Sequence, residues 1–394
     1  MDILIISHFC DDFFTVNNDR FLYIANLLKQ EHNVEVVTSD FFHTKKEKRK
    51  IPKTDFGFKV TLLHEPSYQK NVCLKRFFSH FVWGNNVKRY LHKRDKPDVV
   101  YSAVPSLTAA KAAAKFCHKN NVRFVIDIQD LWPEAFQMVF NVPIISNLFF
   151  LPFNLIANKI YKLADSICAV SETYVKRGLS VNTKAQNGVS VFLGTNLKSF
   201  DDNTKTATSF INRTKKKRLA YCGTLGSSYN LLIVFDALKL LKTQGKTIPQ
   251  FIIMGSGPRF EEFSTYANKL QLDVIFTGRL PYNEMCSTLA SCIMAVNPIT
   301  NGAAQSIINK HADYAAAGIP VINTQQCDEY SILVKTYNMG INCDTTEEVA
   351  DAIEKMMMDD NLRRKMGDNA RKCAEDKFDR CVTYRSLIAE ILKK

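Results

Sequence analysis

The sequence predicts an α/β protein built from two doubly wound, Rossmann-like halves with parallel sheets. Three observations carry that reading. Short apolar runs alternate with helical patterns along nearly the whole chain, the mark of repeated strand–helix–strand units. A polar, basic stretch, Lys198–Lys217 (KSFDDNTKTATSFINRTKKK), interrupts the alternation once and reads as a linker. The 394 residues suit two or three domains, and a hydrophobic content of 46% is ample for large cores.

The elements follow in order. Ile3–Ser7, Val34–Thr38, Lys59–Leu63, Asp98–Ser102, Arg123–Ile128, Ile167–Val170 and Val189–Leu193 read as the strands of the first half. Arg20–Glu31 and Leu107–Asn120 are helical patterns between them. Leu219–Cys222, Gln250–Met254, Val274–Phe276, Ile293–Val296 and Val321–Asn323 read as strands of the second half. Leu231–Lys242, Arg259–Leu270, Glu284–Ala290, Ser306–Ala317 and Glu347–Met358 are its helices, and Arg380–Lys394 is the last helix. The expected domains are therefore 1–200, 201–379 and a terminal helix at 380–394.

Composition narrows the class. Eleven cysteines show no C-x-x-C, and Met1–Ile5 runs directly into a strand pattern rather than a secretory signal. Free thiols in a reducing cytoplasm are the expected state. Eight histidines form no H-E-x-x-H or similar cluster, so no metal site is expected. The net charge is +13 and is concentrated. Phe41–Lys96 hold 15 Lys or Arg against four Asp or Glu, an excess of +11. Inside that span Phe77, Phe78, Phe81, Val82 and Trp83 alternate with Lys75, Arg76, Lys88 and Arg89. Basic charge beside clustered aromatics favours an anionic membrane surface over nucleic acid. Ala135–Ala157 carries no charge over 23 residues, but Pro143, Pro152 and five polar side chains argue against a spanning helix. An interfacial or buried helix pair around Phe149–Leu151 fits better.

The most informative stretch is Asn297–Asn323, NPITNGAAQSIINKHADYAAAGIPVIN. It reads as a strand end, a Gly-containing loop, a helix with Ser306 as N-cap, a Gly318 stop and a Pro320 strand entry. Ligands of open α/β sheets sit beyond the carboxyl ends of strands, where helix N-termini favour phosphate. Lys310 adds a positive charge one turn into that helix, and Asp313 adds a carboxylate for sugar hydroxyls. Asn309, beside Lys310 in the sequence, is a further donor-binding candidate. Such a segment suits a nucleotide sugar.

The stretch resembles the donor-binding segment of family-4 glycosyltransferases, retaining enzymes of the GT-B fold. Those carry two Glu residues with seven positions between them, before a helix ending in A-x-G-x-P-V-[IV]. Gln305 and Asp313 stand at the equivalent positions here, with a lost charge at Gln305. The resemblance implies two Rossmann-like domains facing a cleft, with the donor on the second and the acceptor on the first. It also implies retention at the anomeric carbon, no essential metal and no cofactor. The last helix would cross back onto the first domain.

Other loops add to the site. Arg123–Glu134 (RFVIDIQDLWPE) ends a strand with Asp127, Asp130, Trp132 and Glu134 close together. Carboxylates bind hydroxyls, and an indole packs on a sugar ring. The D-L-W-P-E string resembles a bacterial subgroup similar to N-acetylfucosamine transferases of surface-polysaccharide pathways. Many family members have a His near this strand end, and Asp130 is the candidate for its role. The alternative for Asp130 is a helix N-cap ahead of Pro133. Tyr221–Asn230 (YCGTLGSSYN) supplies Gly223, Thr224 and Gly226, where backbone can approach phosphate. The family's Arg and Lys in this loop are absent, which leaves the diphosphate to Lys310, backbone N–H groups or Arg279. Gly255-Ser256-Gly257-Pro258 resembles the family's G-x-G-P turn, and a tight strand-to-helix turn explains it equally well. His8 ends the first strand, as a cleft or acceptor residue.

The reading is a membrane-surface glycosyltransferase. It moves a hexose or N-acetylhexosamine from a nucleoside-diphosphate sugar, a UDP-sugar in preference, to a lipid-linked glycan of capsule, O-antigen or exopolysaccharide synthesis. The alternatives are a GT-B-fold sugar-nucleotide epimerase, a non-catalytic partner subunit and, from charge alone, a nucleic-acid binder.

Overall fold

Runs of Val, Ile and Leu buried on both faces fold into parallel strands, the pattern that helices on either side of a sheet impose. A computed structural model describes residues 1–11, 13, 19–50, 55–70, 73–134, 143–206, 216–300 and 307–393. The chain divides into two compact units, Met1–Phe192 with Thr383–Lys394, and Leu193–Val382.

The first unit holds a seven-stranded parallel sheet. Its strands are β1 (Asp2–Ile6), β2 (Asn33–Ser39), β5 (Lys59–Leu63), β6 (Val99–Val104), β7 (Arg123–Ile128), β8 (Ser166–Ala169) and β9 (Gly188–Ser190), in the order β5-β2-β1-β6-β7-β8-β9. A small antiparallel pair, β3 (Phe41–Phe42) with β4 (Glu47–Lys48), lies outside that sheet. β1 pairs with both β2 and β6, so the winding reverses between β1 and β6. That reversal opens the crevice in which doubly wound sheets bind ligands.

The second unit repeats the plan with six parallel strands. These are β10 (Arg218–Cys222), β11 (Gln250–Met254), β12 (Val274–Gly278), β13 (Met294–Asn297), β14 (Val321–Asn323) and β15 (Gly340–Asn342), in the order β12-β11-β10-β13-β14-β15. Its reversal falls between β10 and β13.

Most expected elements lie within one or two residues of the observed ones. Several differ more. Half of the expected linker, Leu197–Thr206, is a helix of the second unit. Its Asp201 accepts two hydrogen bonds from Arg371, at 2.7 and 2.8 Å. Residues 207–215 lie outside the described residues. The donor-segment helix begins at Asn309 rather than Ser306 and ends at Ala316, and Gly318 takes the expected left-handed φ of +63°. β15, β3 and β4 have no counterpart in the expected elements, because Gly-Ile-Asn and two-residue strands carry no periodic signal. The helices Glu172–Leu179, Asp328–Tyr337 and Asp360–Cys373 were also outside the expected set.

The last helix, Arg380–Leu392, places Tyr384, Leu387 and Ile391 in the core of the first unit, with Ile3, Leu22, Val36 and Tyr101. Asp127 is corrected by this core. Its side chain is fully buried, and its two oxygens accept from Arg20 Nε at 2.7 Å, Arg20 Nη2 at 3.2 Å and the Tyr101 hydroxyl. Strand alternation explains it, since Asp127 faces opposite to its neighbours Ile126 and Ile128. The pair with Arg20 is structural and does not line a sugar site.

Candidate functional site

In the second unit, loops at the carboxyl ends of β10, β11 and β13 converge. Gly223 follows β10 with φ +144°, a backbone that side chains rarely adopt. Its N–H donates to Met254 O at 3.0 Å, and Leu225 N–H donates to Ser256 O at 3.0 Å. A Cβ at Gly255 would stand 1.8 Å from Gly223 O, and one at Gly257 would stand 2.3 Å from Leu225 O. Both glycines are thus required by the close approach of two loops, which favours the tight-turn reading of Gly-x-Gly-Pro.

Lys310 enters this cradle from the helix Asn309–Ala316. A Cβ at Gly223 would lie 3.6 Å from its Nζ. The ammonium is buried and has no hydrogen-bond partner among the described residues. It stands 3.9 Å from the ring centre of Tyr229 and 4.4 Å from that of Tyr221. Aromatic faces attract the charge but do not replace lost hydration. Burial accordingly pushes the Lys310 pKa down to about 7.

The rest of the helix supports this group. His311 is buried and stacks on Tyr330 with ring centres 3.6 Å apart, and Ile308 N–H donates to its Nδ1 at 3.3 Å. Tyr314 accepts from Cys222 N–H at 2.9 Å and donates to Val296 O at 3.2 Å, so its hydroxyl joins the ends of β10 and β13. The Asp313 carboxylate accepts from the Tyr282 hydroxyl at 3.2 Å, and Tyr282 also bonds Thr195 at 2.9 Å. Burial pushes Asp313 up to about 6 despite the Tyr282 bond. Thr224 and Asn309 are exposed beside the cradle. Arg279 is exposed after β12, the edge strand on the far side of β11 from β10. Gln305 and Ser306 lie outside the described residues.

In the first unit, residues at the carboxyl edge of the sheet form an aromatic and cationic cluster. His8 follows β1 and lies between Phe9 and Trp83, with ring centres 4.4 and 4.2 Å away. Its Nε2 bonds Glu65 Oε2 at 2.7 Å. Glu65 also accepts from Ser39 and Ser79. Burial alone would raise this carboxyl, but the bonds from His8, Ser39 and Ser79 hold it below the usual range. The Trp132 ring stacks on His80 at 5.5 Å, and its Nε1 donates to Asp130 Oδ2 at 3.0 Å. Burial raises the Asp130 pKa despite that bond. His8 and Trp132 both pack against the His80 ring, with centres 4.5 and 5.5 Å away, and Asp130 joins them through its bond from Trp132. Glu134 does not join them. It accepts from Arg177 Nε at 2.6 Å, and Arg177 also holds Asn158.

Glu65, His80 and the inward position of Arg76 escaped the sequence reading. A signal existed for two of them. Arg76, His80 and Trp83 are spaced i, i+4 and i+7, one face of the helix Leu74–Lys93. His8, Glu65 and His80 also have ligating atoms within 4.8 Å of one another. Arg76 Nε donates to His80 Nε2 at 3.4 Å, so a guanidinium already supplies positive charge there.

The other face of that helix is apolar and open. Leu74, Phe78 and Phe81 are 85%, 61% and 56% exposed. Phe77 packs near Phe153 of the helix Pro143–Leu163, whose Leu151 and Leu155 are also exposed. Lys75, Lys88 and Arg89 are exposed, whereas Arg76 turns toward Trp132. No helix among the described residues is long and apolar enough to cross a membrane. Residues 135–142 of the uncharged run lie outside the described residues.

Comparison with known proteins bears on the fold and on the second unit. Residues 202–373 match the family model described as glycosyl transferases group 1. A comparison with curated protein sequences gives no match. Among solved structures, Anabaena Alr3699/HepE in complex with UDP is similar with a TM-score of 0.71 and 15% identity, over 98% of each chain. Sucrose-phosphate synthase (tll1590) from Thermosynechococcus elongatus gives a TM-score of 0.74 and 17% identity over 99% of each chain. WaaG, a glycosyltransferase involved in lipopolysaccharide biosynthesis, gives 0.65 and 14% over the whole of both chains. The fold is GT-B, with two parallel α/β sheets, and the second unit carries the group 1 glycosyltransferase pattern.

Proposed function

We propose that this chain is a glycosyltransferase that takes a hexose or N-acetylhexosamine from a UDP-sugar and delivers it to a lipid-linked glycan. The observation that carries the reading is Lys310. A buried ammonium without a hydrogen-bond partner among the described residues, beside a glycine cradle at a sheet's reversal point, is a site prepared for a diphosphate. The UDP found in the HepE complex supports uridine as the base.

The second unit holds the donor. Lys310 binds the diphosphate and stabilises the charge that grows on the leaving UDP, with backbone N–H groups of the Gly223 loop beside it. Asp313, kept in place by Tyr282, accepts a hydrogen bond from a sugar hydroxyl. Thr224 and Asn309 are the nearby polar groups for the nucleotide, and from the sequence alone Ser306 is assigned to the nucleotide and Gln305 to the transferring sugar. Arg279 is a secondary candidate for phosphate. The first unit holds the acceptor, with Trp132 packing on a sugar ring and His8 bonded to Glu65 behind it. Asp130 serves the reaction centre. Retention, the absence of a metal requirement and a place in surface-polysaccharide synthesis rest on the family resemblance. Exposed Leu74, Phe78 and Phe81, with Lys75, Lys88 and Arg89, support a seat on the cytoplasmic face of an anionic membrane, as a peripheral protein.

A thermal-shift series of nucleoside diphosphates tests the donor assignment. UDP should raise the melting temperature more than ADP or GDP. No response to any of them would remove the donor site.

A further inference from the structure

Lys310 Nζ makes no hydrogen bond among the described residues, so its place depends on the helical turn that carries it. That turn opens on a residue that cannot cap it. Ile308 is the N-cap of the helix Asn309–Ala316, and its side chain has no oxygen to accept a first-turn N–H. His311 closes the turn from the other side. Its Nδ1 accepts from Ile308 N–H at 3.3 Å, and its own backbone N–H donates to Ile308 O at 3.0 Å. One half of a capping box runs the same way, from the third helical residue back to the N-cap backbone, and it ordinarily uses Glu or Gln. Asp313 and Tyr314 hold the next turn, through Tyr282, Cys222 and Val296.

The choice of an imidazole suits the neighbouring lysine. With Nδ1 accepting, the ring proton sits on Nε2 and the ring is uncharged. The ring is fully buried and lies nearly parallel to Tyr330, 6° apart with centres 3.6 Å away. Burial, and then the Lys310 charge, holds its pKa well below the ordinary value. A Glu at this position could close the turn, but it would set a buried carboxylate beside Lys310. The two would pair, and an incoming phosphate would meet a neutralised lysine and a second negative charge.

We propose that His311 is a positioning residue of the donor site, an uncharged cap that fixes Lys310 without neutralising it. The proposal rests on the donor reading of the second unit and adds the residue that keeps Lys310 available to an anion.

The test uses His311→Gln, His311→Glu and His311→Phe in the full chain, with UDP calorimetry and initial rates. Gln keeps an acceptor without charge, so UDP affinity and donor kcat/KM should stay within about threefold of wild type. Glu keeps the acceptor and adds charge, so UDP affinity should fall about tenfold or more below the Gln variant. Phe keeps a ring against Tyr330 and loses the acceptor. Its UDP affinity should fall by about threefold to tenfold, with the acceptor KM unchanged. Gln and Glu have nearly the same shape, so their comparison stands even where the Phe variant does not fold. A Glu variant that binds UDP as tightly as the Gln variant overturns the proposal. A Gln variant that loses as much affinity as the Phe variant overturns it too. Amide hydrogen exchange supplies a readout that needs no ligand. The Ile308 N–H should exchange about tenfold faster in the Phe variant and near the wild-type rate in the Gln variant. Equal exchange in wild type and both variants overturns the proposal. A Lys310→Met chain that binds UDP as wild type does contradicts the donor reading, and exchange at Ile308 still decides for or against the cap.

Discussion

Lys310→Met should make the protein more stable and less able to bind UDP. The ammonium is buried between Tyr221 and Tyr229, and its pKa falls from 10.5 to about 7. At about 1.4 kcal/mol for each tenfold, holding this charge in its buried position costs up to about 5 kcal/mol. Relaxation and water entry reduce such figures, so about 2–3 kcal/mol is the working expectation. The sign follows from the folded pKa lying below the unfolded one. The stabilising contribution of the neutral amine is complete above about 10.5 and is lost as pH falls through about 7. Wild-type stability, measured by urea unfolding, should therefore rise between about pH 7 and pH 10. The methionine variant should lack that rise and should exceed wild type most near neutral pH. Methionine replaces the lysine with a flexible apolar chain of similar length between Tyr221 and Tyr229. The same variant should lose about tenfold to a hundredfold in UDP affinity, the scale of one charge-assisted bond. Calorimetry in buffers of different ionisation enthalpy should show proton uptake when UDP binds wild type near pH 7.5 or above, and none in the variant. Equal UDP affinity in the two proteins, or a methionine variant less stable at every pH, would refute the reasoning.

Three further outcomes follow from other parts of the molecule. Asp130→Asn should lower kcat by about 10²-fold or more while UDP binding stays near wild type; a normal kcat with reduced stability would mark Asp130 as a positioning partner of Trp132 alone. Arg20→Leu should destabilise the protein by about 3–5 kcal/mol in chemical denaturation, because it strands the buried Asp127 carboxylate; a smaller loss in Arg20→Leu with Asp127→Leu would confirm the pair as structural. Lys75, Lys88 and Arg89 replaced together by Gln should weaken binding to anionic vesicles in a salt-sensitive way and spare turnover on a soluble acceptor; a wild-type chain that ignores such vesicles at low salt removes the membrane seat.

The strand–helix alternation was legible because buried parallel strands are continuous apolar runs. Lys59–Leu63, Arg123–Ile128, Gln250–Met254 and Val321–Asn323 stand where the sequence placed them. The helix and strand of Asn297–Asn323 were legible for a different reason. Gly318 and Pro320 punctuate the helix, and Lys310 and Asp313 project from it. The start of that helix was not, since Ile308 at the N-cap has no capping oxygen to signal it. The first unit's cluster was harder to read. Glu65 reaches His8 across 57 residues, and only the fold brings β1 and β5 to one edge. Arg76 looked like one of four surface cations, but helical geometry turns it inward with His80 while its neighbours Lys75 and Phe77 face out. Asp127 misled for the opposite reason. A carboxylate near D-L-W-P-E invites a chemical role, and only the packing shows that Arg20 has claimed it.

The most direct measurement is a crystal structure of the full chain soaked with UDP. The account predicts the diphosphate at the carboxyl end of β10, with an oxygen at about 2.8 Å from Lys310 Nζ and the backbone of Gly223 alongside. UDP bound elsewhere, with Lys310 still enclosed by Tyr221 and Tyr229 and touching no phosphate, would contradict it.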